Sequence, residues 1–445
     1  MKAFFDIRKG ERVQSALMFG YFFLVITSFW ILKPVKKAVF ITYYDETGFL
    51  FGNWHMSSAQ AELFAKCLNM VIAYVAAVGF IWLSNRFVRQ QLSTICIALF
   101  IPCYVGFSYK LDAPTGPIVW SFYLFGDLFS TLMIAAFFVF LNDIVTPDQA
   151  KRTYGLVGLG GVSGGVLGST VVSGLIRHVP LSAWMWICLV LALMMIAIAV
   201  AVGRIAKAER QRSFARKEPE TTAVRPRNNA VFEGVELVAR SRYMLAIVGI
   251  VGIYEMVSTI MDYQFSETVS HYLQGDAIGQ QFAVVYSITN GVALFVQLFV
   301  TSHVMKQHGI KVALLVLPVA VFLGSFAFIA LPVLWIGSLL NTADNAFSYS
   351  INQSAKESLY VPASRQEKYK AKAFIDMFVQ RLAKVAAVLL SFVLTAISSD
   401  FAGVRWLSLV TVFLVVIWFF LARYAGEAFE GLARVRSDES AGVQA

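Results

Sequence analysis

What most constrains this chain is a succession of apolar runs, each close to the roughly 20 residues an α-helix needs to cross a hydrocarbon core of about 30 Å. They fall at 14–35, 61–84, 92–109, 116–142, 154–176, 182–204, 244–266, 281–304, 311–331, 333–354, 371–397 and 403–424. Only 14% of the residues are charged and 58% are hydrophobic, against roughly a quarter charged in a soluble globular chain. That excess of apolar side chains has to face lipid. The sequence therefore predicts an all-α polytopic membrane protein with about a dozen transmembrane helices.

A net charge of +10 raises the question of nucleic acid, but the basic residues are distributed as in a membrane protein. They gather in alternate loops: Lys2, Arg8, Lys9 and Arg12 before the first run, Arg86 and Arg89 after the second, Lys151 and Arg152 after the fourth. Arg204 to Arg242, then Lys306, Lys311, Lys356, Arg365, Lys368, Lys370 and Lys372, continue the series, while the other loops hold little beyond Lys110, Arg177 and Arg405. Cytoplasmic loops carry this bias, so both termini are expected in the cytoplasm, with an even number of spans in a bacterial inner membrane. The expected partner surface is the lipid bilayer, not nucleic acid. The opening apolar run lacks a small-residue cleavage site and reads as a retained first helix.

Ala206 to Arg242 is the one long polar stretch, and it divides the runs six and six. The expected organisation is a first six-helix half (1–205), a basic cytoplasmic linker (206–242), a second six-helix half (243–424) and a cytoplasmic tail (425–445). Two equal halves around a central linker are the layout of the major facilitator architecture, where pseudo-symmetric repeats enclose a substrate site near midplane. The loop TPDQAKRTYG before the fifth run and PASRQEKYKAKAF before the eleventh are a weak internal echo.

Several familiar chemistries are excluded. Cys67, Cys96, Cys103 and Cys188 lie in apolar runs without CxxC spacing, so neither a disulfide framework nor a zinc site is expected. GLVGLGGVSGGVLGS, from Gly155 to Ser169, contains GxGxxS but follows no strand and lacks the GK[ST] of a phosphate loop. Its overlapping GxxxG steps instead predict a face where another helix backbone approaches closely. There is no Ser/His/Asp cluster and no HExxH, and His55, His178, His271, His303 and His308 lie mainly at loop edges. No enzyme activity and no cofactor are expected.

Charges at membrane depth are costly and usually line a pathway. In SFWILKPVKKAVF, Lys33, Lys36 and Lys37 recur at i, i+3 and i+4 on one helical face. Lys33 and Lys36 are expected to face a cavity and Lys37 to snorkel to the outer surface. Asp127 lies in the fourth run, and Glu255 and Asp262 are two turns apart in the seventh. The tenth and eleventh runs bring Asp344, Asn345, Asn352, Gln353 and Lys356, then Asp376, Gln380, Arg381 and Lys384. Cations among apolar helices call for a counter-charge, and phosphate oxygens would serve. Trp30, Tyr43, Tyr263, Phe347 and Tyr349 are available to stack on a base or sugar.

Four of these stretches resemble the bacterial and plastid nucleotide transporters, the ATP/ADP translocase family: ILKPVKKAVF, FFVFLNDIVTPDQAKRTYGLVGLGG, SRYMLAIVGIVGIYEMVSTIMDYQF and NQSAKESLYVPASRQEKYKAKAFIDMFVQRLAK. The resemblance implies that Lys36, Lys356 and Asp262, with Asp127, are the charged residues on which transport depends. It departs where the family has Asp after the first-helix Lys and this chain has Lys37. Both family glutamates are shortened to Asp, and the glycine-rich end of the last motif reads Ala383 to Ala387. The expected function is alternating-access transport of an organic anion, a nucleotide or another phosphorylated metabolite, by a monomer. The expected substrate-binding residues are Lys33, Lys36, Asp127, Asp262, Asn352, Lys356, Arg381 and Lys384. The alternative is a proton-coupled transporter of a different cargo, with Asp127 or Asp262 titrating.

Overall fold

The computed structural model describes residues 11–145, 147–214, 238, 241–360, 371, 372, 374–397 and 401–442. Most of the expected linker lies outside these residues. Helix α6 runs Leu181–Phe214, carrying helical backbone past the expected start of the linker at 206.

The chain opens with α1 (Arg12–Tyr44), followed by a short antiparallel hairpin of β1 (Phe49–Phe51) and β2 (Trp54–Met56). Gly52, with φ 61°, turns the hairpin in a conformation that favours glycine. Helices α2 (Ser58–Arg86), α3 (Arg89–Ser108), α4 (Gly116–Ile144) and α5 (Pro147–Leu175) follow. Ser57 and Gln60 start α2 with a reciprocal capping box, satisfying backbone donors that would otherwise be orphaned at the helix end. After α6 come α7 (Arg242–Tyr272) and α8 (Asp276–Phe295), then a π-helical segment (Val296–Thr301) and α9 (Ser302–Gln307). Gly309, with φ 78°, makes the tight turn into α10 (Gly309–Ala330). Helix α11 (Leu334–Phe347) passes through a second π segment (Ser348–Asn352) into α12 (Gln353–Ser358). A third π segment (Ile375–Val379) leads into α13 (Gln380–Ile397), and α14 spans Phe401–Gly442.

Among the described residues ten helices are long and apolar enough to cross a membrane. The expected tenth and eleventh spans are helical too, as 334–358 and 375–397, each interrupted or preceded by π-helix. The chain is an all-α polytopic membrane protein.

The residues group into two compact units: Met1–Thr222 with Gln274–Asn290, and Ala223–Leu273 with Gly291–Ala445. In the first, α1 is the central element, packing on α4 and α6 and most extensively on α5. Its core is strongly aromatic, with Tyr21, Phe40, Phe122, Phe129, Phe137 and Trp184 buried. The small-residue face of α5 lies directly on α1. A Cβ added at Gly160 would stand 2.7 Å from the Phe19 carbonyl oxygen, and one at Gly168 2.6 Å from that of Thr27. The GxxxG steps thus act as a close-approach seam, as their spacing implies. In the second unit α14 packs on α7 and α10, around Ile247, Val257, Leu314 and Trp418.

Candidate functional site

In the first unit the charged face of α1 meets α2 and α4. Lys36 is buried and ion-paired with Asp127 of α4, and its ammonium lies 4.4 Å from the centroid of the Tyr123 ring. Gly126 makes room for this: a Cβ there would lie 2.7 Å from Lys36 Cδ. A lysine stem can lie flat along α4 only where a side chain is missing. We therefore expect Gly126→Ala to cost about 1–2 kcal/mol of stability, because the buried stem has to yield at Cδ and loosen its pair with Asp127, and to raise about tenfold the KM of a solute held by the displaced ammonium. Thermal unfolding and concentration-dependent uptake read the two effects separately.

Lys37 departs from expectation. It does not snorkel to a surface but is 3% exposed, with its ammonium 3.3 Å from Glu62 Oε1. The physical reason is the partner: a carboxylate inside the unit compensates a charge that otherwise has to reach water. Glu62 also accepts the Tyr123 hydroxyl at 2.9 Å and lies 3.5 Å from Lys66 Nζ. The sequence reading missed both Glu62 and Lys66. The signal available was an i, i+4 acid–base pair inside the apolar run AELFAKCLNM, which reads equally well as a helix-entry pair.

Lys33 is half-buried, its ammonium 4.5 Å from the centroid of the Trp30 ring and 4.7 Å from that of Tyr286. The cation–π attraction gives a desolvated ammonium a partial substitute for water. Trp30 and Tyr286 are themselves edge-to-face at 5.8 Å. Of the rings expected to stack on a base, Trp30 is buried in this arrangement, and Tyr263 is buried and donates to Glu267 Oε1 at 2.9 Å. Tyr43 and Tyr349 are exposed. The polar cluster on α1, α2 and α4 thus brings Lys33, Lys36, Lys37 and Lys66 together with two carboxylates, Glu62 and Asp127.

In the second unit Lys384 of α13 lies 3.3 Å from Glu255 of α7. Asp344, 1% exposed on α11, accepts the Ser258 hydroxyl at 2.7 Å, and the Tyr254 hydroxyl bonds to that of Ser348 at the start of the second π segment. Asp262 is half-buried one turn before Ser266, whose hydroxyl donates to its backbone carbonyl. Asn352 is 2% exposed, and its Oδ1 has no hydrogen-bond partner among the described residues. A buried acceptor left in that state requires a donor from solvent or solute. Lys356 and Arg381 are half-buried and make no ion pair among the described residues. The Asp376 side chain lies outside the described residues. Of the residues singled out from sequence, Lys36 is thus brought to Asp127 and Lys384 to Glu255.

Comparison with known proteins fits these observations to a family. A family model described as TLC ATP/ADP transporter matches residues 118–334 and 329–429. The chain is 22% identical to ADP,ATP carrier protein 2, chloroplastic, of Arabidopsis thaliana, over 88% of this chain and 72% of that protein. It is also 22% identical to ADP,ATP carrier protein 1 of Chlamydia pneumoniae, over 72% of this chain and 69% of that protein. Among solved structures it resembles the nucleoside transporter NupG with a TM-score of 0.60 at 13% identity, covering 96% of this chain and 99% of that one. At that identity the likeness speaks to the fold, that of a polytopic transporter. With the family model matching most of the chain, this protein is a membrane transporter of the TLC ATP/ADP transporter family.

Proposed function

We propose that the protein exchanges nucleotides of the ATP and ADP type across a bacterial inner membrane by alternating access, as a monomer with both termini in the cytoplasm. In this reading residues 1–205 and 243–424 are the two six-helix repeats, joined by 206–242. Lys36 of the first repeat and Lys356 of the second take phosphate charge, with Lys33, Arg381 and Lys384 as further cations and Asn352 as a hydrogen-bonding group. Asp127 and Asp262 hold the lysines when the site is empty.

The observation that supports this reading most is the α1 cluster: four ammonium groups and two carboxylates inside an otherwise aromatic and aliphatic unit. Such a surplus is stable at low dielectric only with anions beside it. Phosphate oxygens meet that need, and an empty carrier that exposes the surplus to lipid is slow to reorient, which makes transport an obligatory exchange. The ATP and ADP carried by the named relatives have this chemistry.

The alternative is proton-coupled movement of another cargo, for which the argument is the set of carboxylates on α7 and α11: Glu255 beside Lys384, Asp344 accepting the Ser258 hydroxyl, and Asp262. Reconstituted protein should take up labelled ATP only when unlabelled ATP or ADP is inside the vesicle, and collapsing a pH gradient should leave that uptake unchanged. Uptake into nucleotide-free vesicles driven by a pH gradient would instead establish the proton-coupled reading.

A further inference from the structure

Glu62 stands one turn into α2, 2% exposed, in a stretch that is otherwise mainly alanine, leucine and phenylalanine. A carboxylate is tolerated there only with cations and donors against it. Its Oε1 has three of them: Lys37 Nζ at 3.3 Å, Lys66 Nζ at 3.5 Å and the Tyr123 hydroxyl at 2.9 Å. Two of these contacts bear on Lys36. Lys37 is its immediate neighbour on α1, and Tyr123 is the ring on whose face the Lys36 ammonium rests, 4.4 Å from the centroid. A ring held by its hydroxyl cannot turn away from the cation it supports. Glu62 therefore reaches the Lys36–Asp127 pair through a ring and through a charge, without touching either member.

We propose that Glu62 is a positioning and specificity residue: by neutralising Lys37 and fixing Tyr123, it sets how much positive charge an incoming anion meets around Lys36. The inference rests on the reading of Lys36 as an anion-binding group. Lys37 is a structural cation while Glu62 is ionised. It becomes a further cation acting on the anion when Glu62 loses its charge. The consequence is graded by the charge of the solute, because Coulomb attraction scales with the product of the charges. A tri- or tetra-anion gains more from the added charge than a dianion. Release slows correspondingly, since ground-state binding that is not matched in the translocation barrier lowers turnover. A purely structural role for Glu62 would move all solutes alike.

The test uses the full-length protein in two formats. In proteoliposomes, KM and maximal rate are measured for ATP, ADP and AMP in wild type, Glu62→Gln, Lys37→Met and the double variant. In detergent, thermal stabilisation by inorganic phosphate, pyrophosphate and tripolyphosphate is measured for the same four proteins. Glu62→Gln is expected to lower the ratio of the ATP KM to the AMP KM by about tenfold with a fall in maximal rate. Lys37→Met should shift the ratio the opposite way, and the double variant should return to the wild-type ratio, as a cycle between coupled residues requires. Wild-type ratios in both single variants overturn the proposal. If Glu62→Gln does not fold, Lys37→Met alone decides, since Glu62 there keeps Lys66 and Tyr123. The detergent series separates this inference from the functional reading. Should the wild type exchange no nucleotide but show the same graded shifts with the polyphosphates, the assignment of Glu62 stands and the nucleotide assignment falls. A wild type that no polyphosphate stabilises overturns both.

Discussion

Lys36→Ala is expected to lower nucleotide exchange by about two orders of magnitude or more, the loss typical when a charge that binds the transported group is removed from a low-dielectric site. The variant also strands Asp127. Breaking a buried pair from one side costs about 3–5 kcal/mol, and because the Asp127 side chain is 23% exposed and water reaches it, a cost nearer 2 kcal/mol is expected here. The two effects come apart in the double variant Lys36→Met with Asp127→Asn, which buries no unpaired charge. Thermal unfolding of the double variant should return close to wild type while exchange stays at the level of Lys36→Ala. Exchange that recovers together with stability would mean that the lysine acts through folding alone and binds no anion.

A second large effect is expected at the α1–α5 seam. At Gly164 a Cβ would be driven into the Phe23 carbonyl oxygen, a backbone atom that cannot rotate aside. Gly164→Leu should therefore prevent accumulation of folded protein, and Gly164→Ala should destabilise by about 1–3 kcal/mol, the usual cost of forcing a methyl group into a filled contact. Gly158 and Gly174 lie on the same helix with open space where a Cβ would be, so Gly158→Ala and Gly174→Ala serve as matched controls expected to unfold like wild type. The measurement is thermal unfolding in detergent, with the yield of monodisperse protein as a second readout. Equal stability across all three glycine-to-alanine variants would show that α5 is free to shift on α1.

The fold was legible because its strongest determinants are local. A run of twenty apolar residues has few alternatives to a spanning helix, and GxxxG spacing marks a contact face without reference to its partner. Lys36 and Asp127 were each legible as charges out of place in apolar sequence, but their pairing joins positions 91 residues apart and no local pattern encodes it. The reading of Lys37 failed for the same reason. A lysine near a helix end is assigned to a surface unless a counter-ion is known, and Glu62 comes from another helix. Trp30 was legible as an available aromatic, yet its face is turned to Lys33 and it packs edge-to-face with Tyr286, arrangements set by packing with α8. Asp262, Lys356 and Arg381 were legible only by their chemistry and by resemblance, because no local pattern says which groups on other helices face them.

Among the described residues the three π-helical segments all fall after residue 290, two of them within or beside the most polar helices. A π turn accommodates one residue more than an α turn, and each α-helical residue advances the face by about 100°. A helical wheel drawn continuously from Asn341 to Lys356 therefore assigns the second half of that stretch to the wrong side, and a comparison with a relative whose helix is regular there needs a one-residue gap inside the helix itself. Beyond Ser348 the side chains of Asn352 and Lys356 therefore stand about 100° around the axis from where an unbroken α-helix would put them.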